Sequence, residues 1–155
     1  MGMDVYGKNP TCEAGEYFRA NVWSWRPIAA LTLELAPEEC DPCEHWGTND
    51  GDGLNADQSV QLAEKLSRSL ASGEIGRIIV KARGDIHQMP DEECNICEGT
   101  GSRAEPPNPG PGPVSCNGCN GTGKKRPWEA HYDCSVEHFT EWLTFLHNCG
   151  GFELW

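Results

Sequence analysis

The chain has 155 residues, of which 37% are hydrophobic, 18 are glycine and 11 are proline, so we expect one moderate core and much loop. Its formal net charge of −12 argues against a broad basic face for nucleic-acid backbone, and it fits a soluble protein or one that presents carboxylates to a basic partner. No stretch approaches the length of a transmembrane span, so no membrane association is expected.

The cysteine content indicates the expected compartment. There are nine cysteines, an odd number, and the N-terminus lacks the apolar region of a signal peptide. Reduced cysteines that bind metal in the cytoplasm fit this pattern better than a secreted disulfide framework does. A cytoplasmic location is therefore expected.

The first third of the chain is predicted to be helical after an irregular start. Residues 1–12 contain glycine, asparagine and proline breakers. Apolar residues at three- and four-residue steps predict a helix over 13–25, and a second helix from Pro27, which suits a first helical turn, to Pro37. Several of the six tryptophans are expected in the core.

The stretch from Pro27 to Glu64 contains nine acidic residues and no Lys or Arg. Its simplest interpretation is a solvated acidic face. A functional face would present Asp50 and Asp52 to a basic partner, with Trp46 as an aromatic anchor, because aromatic residues dominate binding hot spots.

Residues 37–53 are predicted to be a loop, and their acidic residues resemble a calcium-binding loop. In the EF-hand register, Thr48 and Ser59 take the first and twelfth ligand positions, where both are poor ligands. We therefore expect a turn that leads into a helix, and no calcium.

Three later segments have the marks of helices. Asn55 with Gln58 forms a capping-box pattern for a helix that runs to about residue 71. Residues 74–88 follow the helical period, although the β-branched run 78–80 would also suit a strand. Ser135 caps a last helix over 136–148, and a short strand is expected after Gly150 at residues 152–155.

Two copies of the pattern CxxCxGxG occupy residues 94–101 and 116–123, with eighteen residues between the two CxxC pairs. This spacing predicts one tetrahedral zinc site per chain, and the glycines permit the positive φ angles of a tight turn. A four-thiolate site has no open position, so the zinc is predicted to be structural and not catalytic. The four ligands are Cys94, Cys97, Cys116 and Cys119.

The alternative for these pairs is redox chemistry, which the absence of a βαβ pattern before either pair disfavours. The segment between them, residues 102–115, holds five of the eleven prolines and is predicted to be a flexible or polyproline-like spacer at the tip of a zinc hairpin. Residues 124–126 form the only basic run, which is too short for a nucleic-acid patch.

A second metal site is a weaker alternative. Cys40 and Cys43 form a third CxxC pair close to His45, and His131 and Cys134 would supply further ligands. No spacing rule joins the two halves, so free or buried thiols are the simpler interpretation. The chain carries no P-loop, GxSxG or HExxH signature, and no enzyme activity is predicted.

The repeat CxxCxGxG resembles the cysteine-rich zinc domain of DnaJ-type co-chaperones. That domain has four repeats and two zinc centres, whereas this chain has two repeats over residues 94–123, enough for one centre. The resemblance implies zinc binding. It does not imply co-chaperone activity, because the chain lacks the His-Pro-Asp tripeptide of a J-domain.

Stretches outside the repeats resemble a family of uncharacterised bacterial and phage proteins. They cover residues 3–8, 15–19 with 22–27, 49–54 and 149–153. This resemblance extends over most of the chain and implies no known activity.

Together these features predict an α+β fold, a mainly helical small domain over 1–155 with a zinc-stapled β-hairpin sub-domain over 90–126. The predicted function is that of a small acidic zinc-binding protein that acts by binding another protein. One alternative is an inhibitor, encoded by a phage or mobile element, whose acidic face occupies the nucleic-acid site of a host defence enzyme. The other alternative is a metalloenzyme with a second, open metal site.

Overall fold

The computed structural model describes residues 2–155 and divides into two compact units. The first unit contains the described residues up to 83 together with 132–155, and the second contains residues 84–131. The second unit includes the predicted zinc sub-domain, 90–126, and extends a few residues beyond it on each side.

The described residues form both strands and helices. The strands are β1 (Gly2–Gly7), β2 (Tyr17–Asn21), β3 (Gly53–Leu54), β4 (Glu92–Glu93), β5 (Ser102–Arg103), β6 (Val114–Ser115), β7 (Lys124–Lys125) and β8 (Phe152–Leu154). The helices are α1 (Val22–Leu35), α2 (Pro37–Cys40), α3 (Ala56–Ala71), α4 (Glu74–Gln88) and α5 (Val136–Asn148), with short 3₁₀ turns at Glu13–Gly15 and Trp128–His131. The predicted mixed α+β class is confirmed.

A four-stranded antiparallel sheet in the order β2-β1-β8-β3 belongs to the first unit. Val5 in β1 lies opposite Phe18 in β2 and Leu154 in β8, and all three side chains are buried. The irregular start predicted for residues 1–12 is therefore wrong over β1, because its alternate side chains face the core.

The helix predicted over 13–25 is also wrong over β2. Phe18 and Ala20 are buried between exposed neighbours, which is the two-residue period of a strand, and β2 pairs with β1 along its whole length. Helix α1 begins only after Asn21, whose side chain accepts hydrogen bonds from the N–H groups of Trp23 and Ser24 at 2.9 and 3.0 Å.

Pro27 lies inside α1 rather than at the start of a new helix. A proline lacks the N–H that would bond the carbonyl four residues earlier, here that of Trp23. The structure satisfies this carbonyl with the N–H of Asp133, at 3.0 Å. A contact from the far end of the chain therefore permits α1 to continue through the proline.

The later elements follow the sequence closely. The Asn55–Gln58 capping box at the start of α3 is present in both directions. Helix α4 continues through Gly84 to Gln88, and α5 has the predicted bounds and the Ser135 cap. The predicted loop over 37–53 is broken by the single turn of α2 and ends at β3.

Trp142 lies at the centre of the core of the first unit. Its indole N–H donates to the Thr32 hydroxyl at 3.2 Å. Five aromatic rings lie with centroids between 5.1 and 6.4 Å from that of Trp142: Phe18, Trp25, Trp46, Phe145 and Phe152.

Trp46 belongs to this core, with only 5% of its surface exposed. Its carbonyl accepts the indole N–H of Trp25 at 2.7 Å. The prediction that Trp46 anchors a partner is wrong, because the indole is already buried against other aromatic rings.

Among the residues described, no helix is both long and apolar enough to cross a membrane.

Candidate metal centre

Four cysteine thiols form one cluster inside the second unit. The Sγ atoms of Cys94, Cys97, Cys116 and Cys119 all lie within 4.8 Å of one another, and all four residues are buried. The Sγ distances across the two repeats are 3.9 Å for Cys94 to Cys116 and 3.7 Å for Cys97 to Cys119. These separations allow four sulfurs to share one metal ion.

Both repeats fold in the same way. The residue after each CxxC pair, Glu98 or Asn120, has a φ of 50°, and the glycine that follows has a φ of 75° or 79°. Two successive left-handed residues turn the chain sharply after the second thiol. The sequence pattern therefore encodes the turn directly.

A threonine fixes the end of each repeat. The hydroxyl of Thr100 donates to the Cys97 carbonyl at 2.7 Å, and that of Thr122 donates to the Cys119 carbonyl at 2.7 Å. Each hydroxyl also accepts a hydrogen bond at 3.3 Å from the N–H two residues later. The two threonines hold the two turns in matching shapes.

The repeats are also bonded to each other reciprocally. The N–H of Cys94 donates to the Gly123 carbonyl, and the N–H of Cys116 donates to the Gly101 carbonyl, each at 2.9 Å. The backbones approach so closely at these glycines that a Cβ on Gly123 would lie 2.1 Å from the carbonyl oxygen of Gly99. The last glycine of CxxCxGxG is thus required for one repeat to lie against the other.

Short antiparallel strands extend from the two CxxCxGxG repeats. Strand β4, before the first repeat, pairs with β7, after the second, and places Glu92 opposite Lys125. Strands β5 and β6 pair at the other end, where they form the first and last residues of the segment predicted to be a flexible spacer. That segment is a hairpin that returns to the first repeat, where the Gly110 N–H donates to the Ile96 carbonyl at 3.1 Å.

The chemistry of the donor set suits a thiophilic metal. The Gly123 N–H donates to the Cys119 sulfur at 3.2 Å, an arrangement that favours the thiolate. Although burial opposes ionisation, this bond and the neighbouring thiols lower the pKa of Cys119 to about 7. The N–H of Ile96 is the main cause that lowers the pKa of Cys94, whereas burial and the neighbouring thiols raise the pKa of Cys97 to about 11. A metal ion held by all four sulfurs would have a complete tetrahedral shell and would offer no coordination position to a substrate.

The first-unit residues of the alternative metal site, Cys40, Cys43, His45 and Cys134, do not come together as a ligand cluster. Within residues 2–155, no other set of three Cys, His, Asp or Glu ligand atoms comes within 4.8 Å. Cys40 and Cys43 are buried in the first unit, and desolvation raises the pKa of each to about 12, while Cys134 is buried with a pKa raised to about 11. His45 is exposed, and His131 belongs to the second unit.

Asp50 and Asp52, the predicted partner contacts, differ in their surroundings. Asp50 is exposed, whereas the Asp52 carboxylate accepts hydrogen bonds from the N–H groups of Glu44, His45 and Gly53 at 2.7, 2.9 and 2.7 Å. Burial opposes its ionisation, but the three donors outweigh it and lower the pKa of Asp52. Asp52 thus organises its own loop.

Beside the metal centre lies a set of residues that was not predicted to act together. The basic run 124–126 and the following Trp128 line a common cleft in the second unit. An aromatic residue two positions after a basic run is the signal in the sequence.

The chain was compared with protein-family models, with curated proteins and with solved structures. None of the three comparisons gave a match.

Proposed function

We propose that residues 84–131 hold one structural zinc ion, and that the chain acts in the cytoplasm by binding another protein. The observation that carries the zinc proposal is the cluster of four buried thiols within 4.8 Å. Zinc with four cysteines is a closed, redox-inactive centre whose binding free energy stabilises the fold around it.

The small size of the second unit supports a structural role for the metal. Its buried hydrophobic cluster consists of the four cysteines, with Ile96 packed against it. Such a core buries too little apolar surface to offset the entropy of ordering the segment. Four metal–sulfur bonds would supply the missing stabilisation.

The outer face of the four-stranded sheet supports the partner proposal. Tyr6 and Tyr17 lie side by side on it, with ring centroids 5.1 Å apart, and 48% and 42% of their surfaces are exposed. Arg19 is exposed on the same strand as Tyr17, and Trp155 pairs with Asp4 through two backbone bonds of 2.8 and 2.7 Å. Tyr, Trp and Arg are the residue types enriched at binding hot spots.

Metal content tests the first half of the proposal. Elemental analysis of the untagged protein is expected to find one zinc per chain, and chelation is expected to expose four further thiols together. The control is a triple variant in which Cys12, Cys134 and Cys149 are replaced and the four cysteines of the proposed zinc site are kept. Absence of metal from protein purified without chelator, or release of fewer than four thiols, would contradict a four-cysteine zinc site.

Affinity capture with a matched pair of variants tests the second half. The double variant Tyr6→Ser/Tyr17→Ser removes the aromatic pair, and Val80→Ser removes an exposed apolar side chain on α4, where 71% of Val80 is exposed. A protein retained by the natural chain and by Val80→Ser, and lost with the double variant, is the expected result. Equal retention by all three chains would show that this face is not the binding surface.

A further inference from the structure

A cleft of about 450 Å³ lies beside the second repeat, entirely within the second unit. Its lining includes three of the 12 Lys and Arg residues of the chain and no Asp or Glu. The chain carries 24 acidic residues, so a lining with cations and without a carboxylate differs from its overall composition. The charged and aromatic side chains of the lining are Lys124, Lys125, Arg126, Trp128 and His131.

The three cationic side chains of the cleft make different contacts. Arg126 donates to the carbonyls of Met89 and Ile86 at 2.6 and 2.8 Å, at the end of α4, and also lies 3.5 Å from the Asp91 carboxylate. Lys125 donates to the neutral amide oxygen of Asn95 at 2.8 Å, and Lys124 is exposed. Among the described residues, no carboxylate lies within 4.0 Å of either ammonium. Neither ammonium is therefore held in an ion pair, and both can accept an anion, although Glu92 and Glu93 lie opposite these lysines on the paired strand.

An aromatic surface lies next to these charges. Trp128 is 58% exposed and is held at the start of a 3₁₀ turn in which the Ala130 N–H donates to the Pro127 carbonyl at 3.1 Å. The His131 ring lies 6.4 Å from the Trp128 ring, at a steep angle. A fixed, exposed indole is a surface on which a planar ring stacks.

We propose that this cleft binds a nucleotide, with its phosphate on Lys124 and Lys125 and its base against Trp128. The volume is within the range of small-molecule sites. A divalent metal with four thiolates would add negative charge near Cys119, so the phosphate belongs at the rim, on the ammonium groups. The net charge of −12 repels a long polyanion and favours a ligand with one or two phosphates.

This proposal is independent of the partner protein and of the sheet face in the first unit. It also agrees with the expectation that the chain lacks a broad basic face for nucleic-acid backbone. The ligand class follows from two ammonium groups that are not in ion pairs and one exposed indole, because a nucleotide uses both the charges and the planar face, whereas an acidic peptide uses the charges alone.

The test is a titration of ¹⁵N-labelled, metal-loaded full-length protein with AMP, followed by NMR. We expect saturable shifts of the Trp128 indole N–H and of the amides of residues 124–126. The variant Lys124→Glu is expected to weaken binding by about tenfold, since one charge contact is replaced by repulsion. Arg68→Glu, which makes the same charge change at an exposed position on α3, is expected to leave the affinity unchanged.

Two variants of Trp128 separate stacking from charge. Trp128→Leu is expected to weaken AMP binding by about tenfold, because base–aromatic stacking contributes at about this level. Trp128→Tyr keeps an aromatic face and should retain most of the affinity. The amide spectrum of each variant reports whether the fold is intact, so a loss of binding is not confused with unfolding.

Several outcomes would overturn the proposal. They are an absence of shifts at millimolar AMP, inorganic phosphate binding as tightly as AMP, and an oligoglutamate peptide binding more tightly than AMP. An oligoadenylate that binds more tightly than AMP through the same residues would replace a free nucleotide by a nucleic-acid strand as the ligand.

Discussion

The carboxylate of Asp52 accepts a hydrogen bond from the backbone N–H of Glu44 at 2.7 Å. The same oxygen accepts the N–H of His45 at 2.9 Å, and the other oxygen accepts that of Gly53 at 2.7 Å. One side chain thus connects the segment after α2 to the beginning of β3. This explains how a long acidic loop without regular structure keeps a defined shape.

Asp52→Asn is expected to lower the free energy of unfolding at pH 7 by about 1–3 kcal/mol, because bonds to a charged acceptor are lost. Since the folded state lowers the pKa of Asp52, its contribution is present above the unfolded value of about 3.9 and is lost as the pH falls through the folded value. Urea unfolding of both proteins between neutral and acid pH should therefore show a difference that shrinks in acid.

Asp50→Asn is the matched control for this prediction, because Asp50 is an exposed neighbour in the same loop. We expect a change within about 0.5 kcal/mol. A difference between the natural chain and Asp52→Asn that stays constant down to the lowest pH would contradict the role assigned to the carboxylate.

Gly123→Ala is expected to weaken metal retention in competition with a chelator. Gly123 has a φ of 76°, and its added Cβ would lie 2.1 Å from the Gly99 carbonyl oxygen. Left-handed backbone alone costs a non-glycine residue about 1–3 kcal/mol. Gly76→Ala is the control: nothing lies within 4 Å of its added Cβ in α4, and helix propensity should stabilise that variant slightly. Equal metal retention by both variants would refute the close approach of the two repeats.

Thr32→Val is expected to destabilise the first unit by about 1–3 kcal/mol, measured by urea unfolding. The substitution keeps the shape of the side chain but removes the acceptor of the buried Trp142 indole N–H. Thr140→Val removes a similar hydroxyl from the exposed side of α5, where it donates only to the Val136 carbonyl, and should change stability little. Equal losses for the two threonines would argue against the Trp142–Thr32 bond.

Thiol reactivity should separate the cysteines of the metal-loaded protein. Cys12 is exposed, whereas Cys40 and Cys43 are buried with their pKa values raised to about 12, so few of their thiolates exist near neutral pH. A disulfide reagent is therefore expected to label one thiol rapidly. Cys12→Ser should abolish this rapid phase, and its persistence would show that another cysteine is accessible.

Local signals in the sequence were sufficient for several elements. The capping box at Asn55, the Ser135 cap of α5 and the helical period of α4 each lie within a few neighbouring residues, and all three helices formed where they were predicted. Secondary structure that depends on contacts between near neighbours is readable in this way.

The strands at the N-terminus could not be recognised in the same manner. Strand β1 is stabilised by β2 on one side and by β8, almost 150 positions away, on the other. Neither the strand register nor the burial of Trp46 can be predicted from neighbouring residues in the sequence, since both depend on which distant elements pack together. The continuation of α1 through Pro27 has the same origin, because Asp133 supplies the missing donor.

The candidate site shows the same difference between features set by neighbouring residues and features set by distant contacts. The sequence by itself determined which four cysteines cluster, because CxxC spacing and the glycines after it encode each turn locally. Only the tertiary structure decided that the two repeats bond reciprocally through Gly101 and Gly123, and that Lys124 and Trp128 line one cleft. The physical reason is that turn geometry follows from adjacent residues, whereas the space between repeats is defined by backbone contacts across the chain.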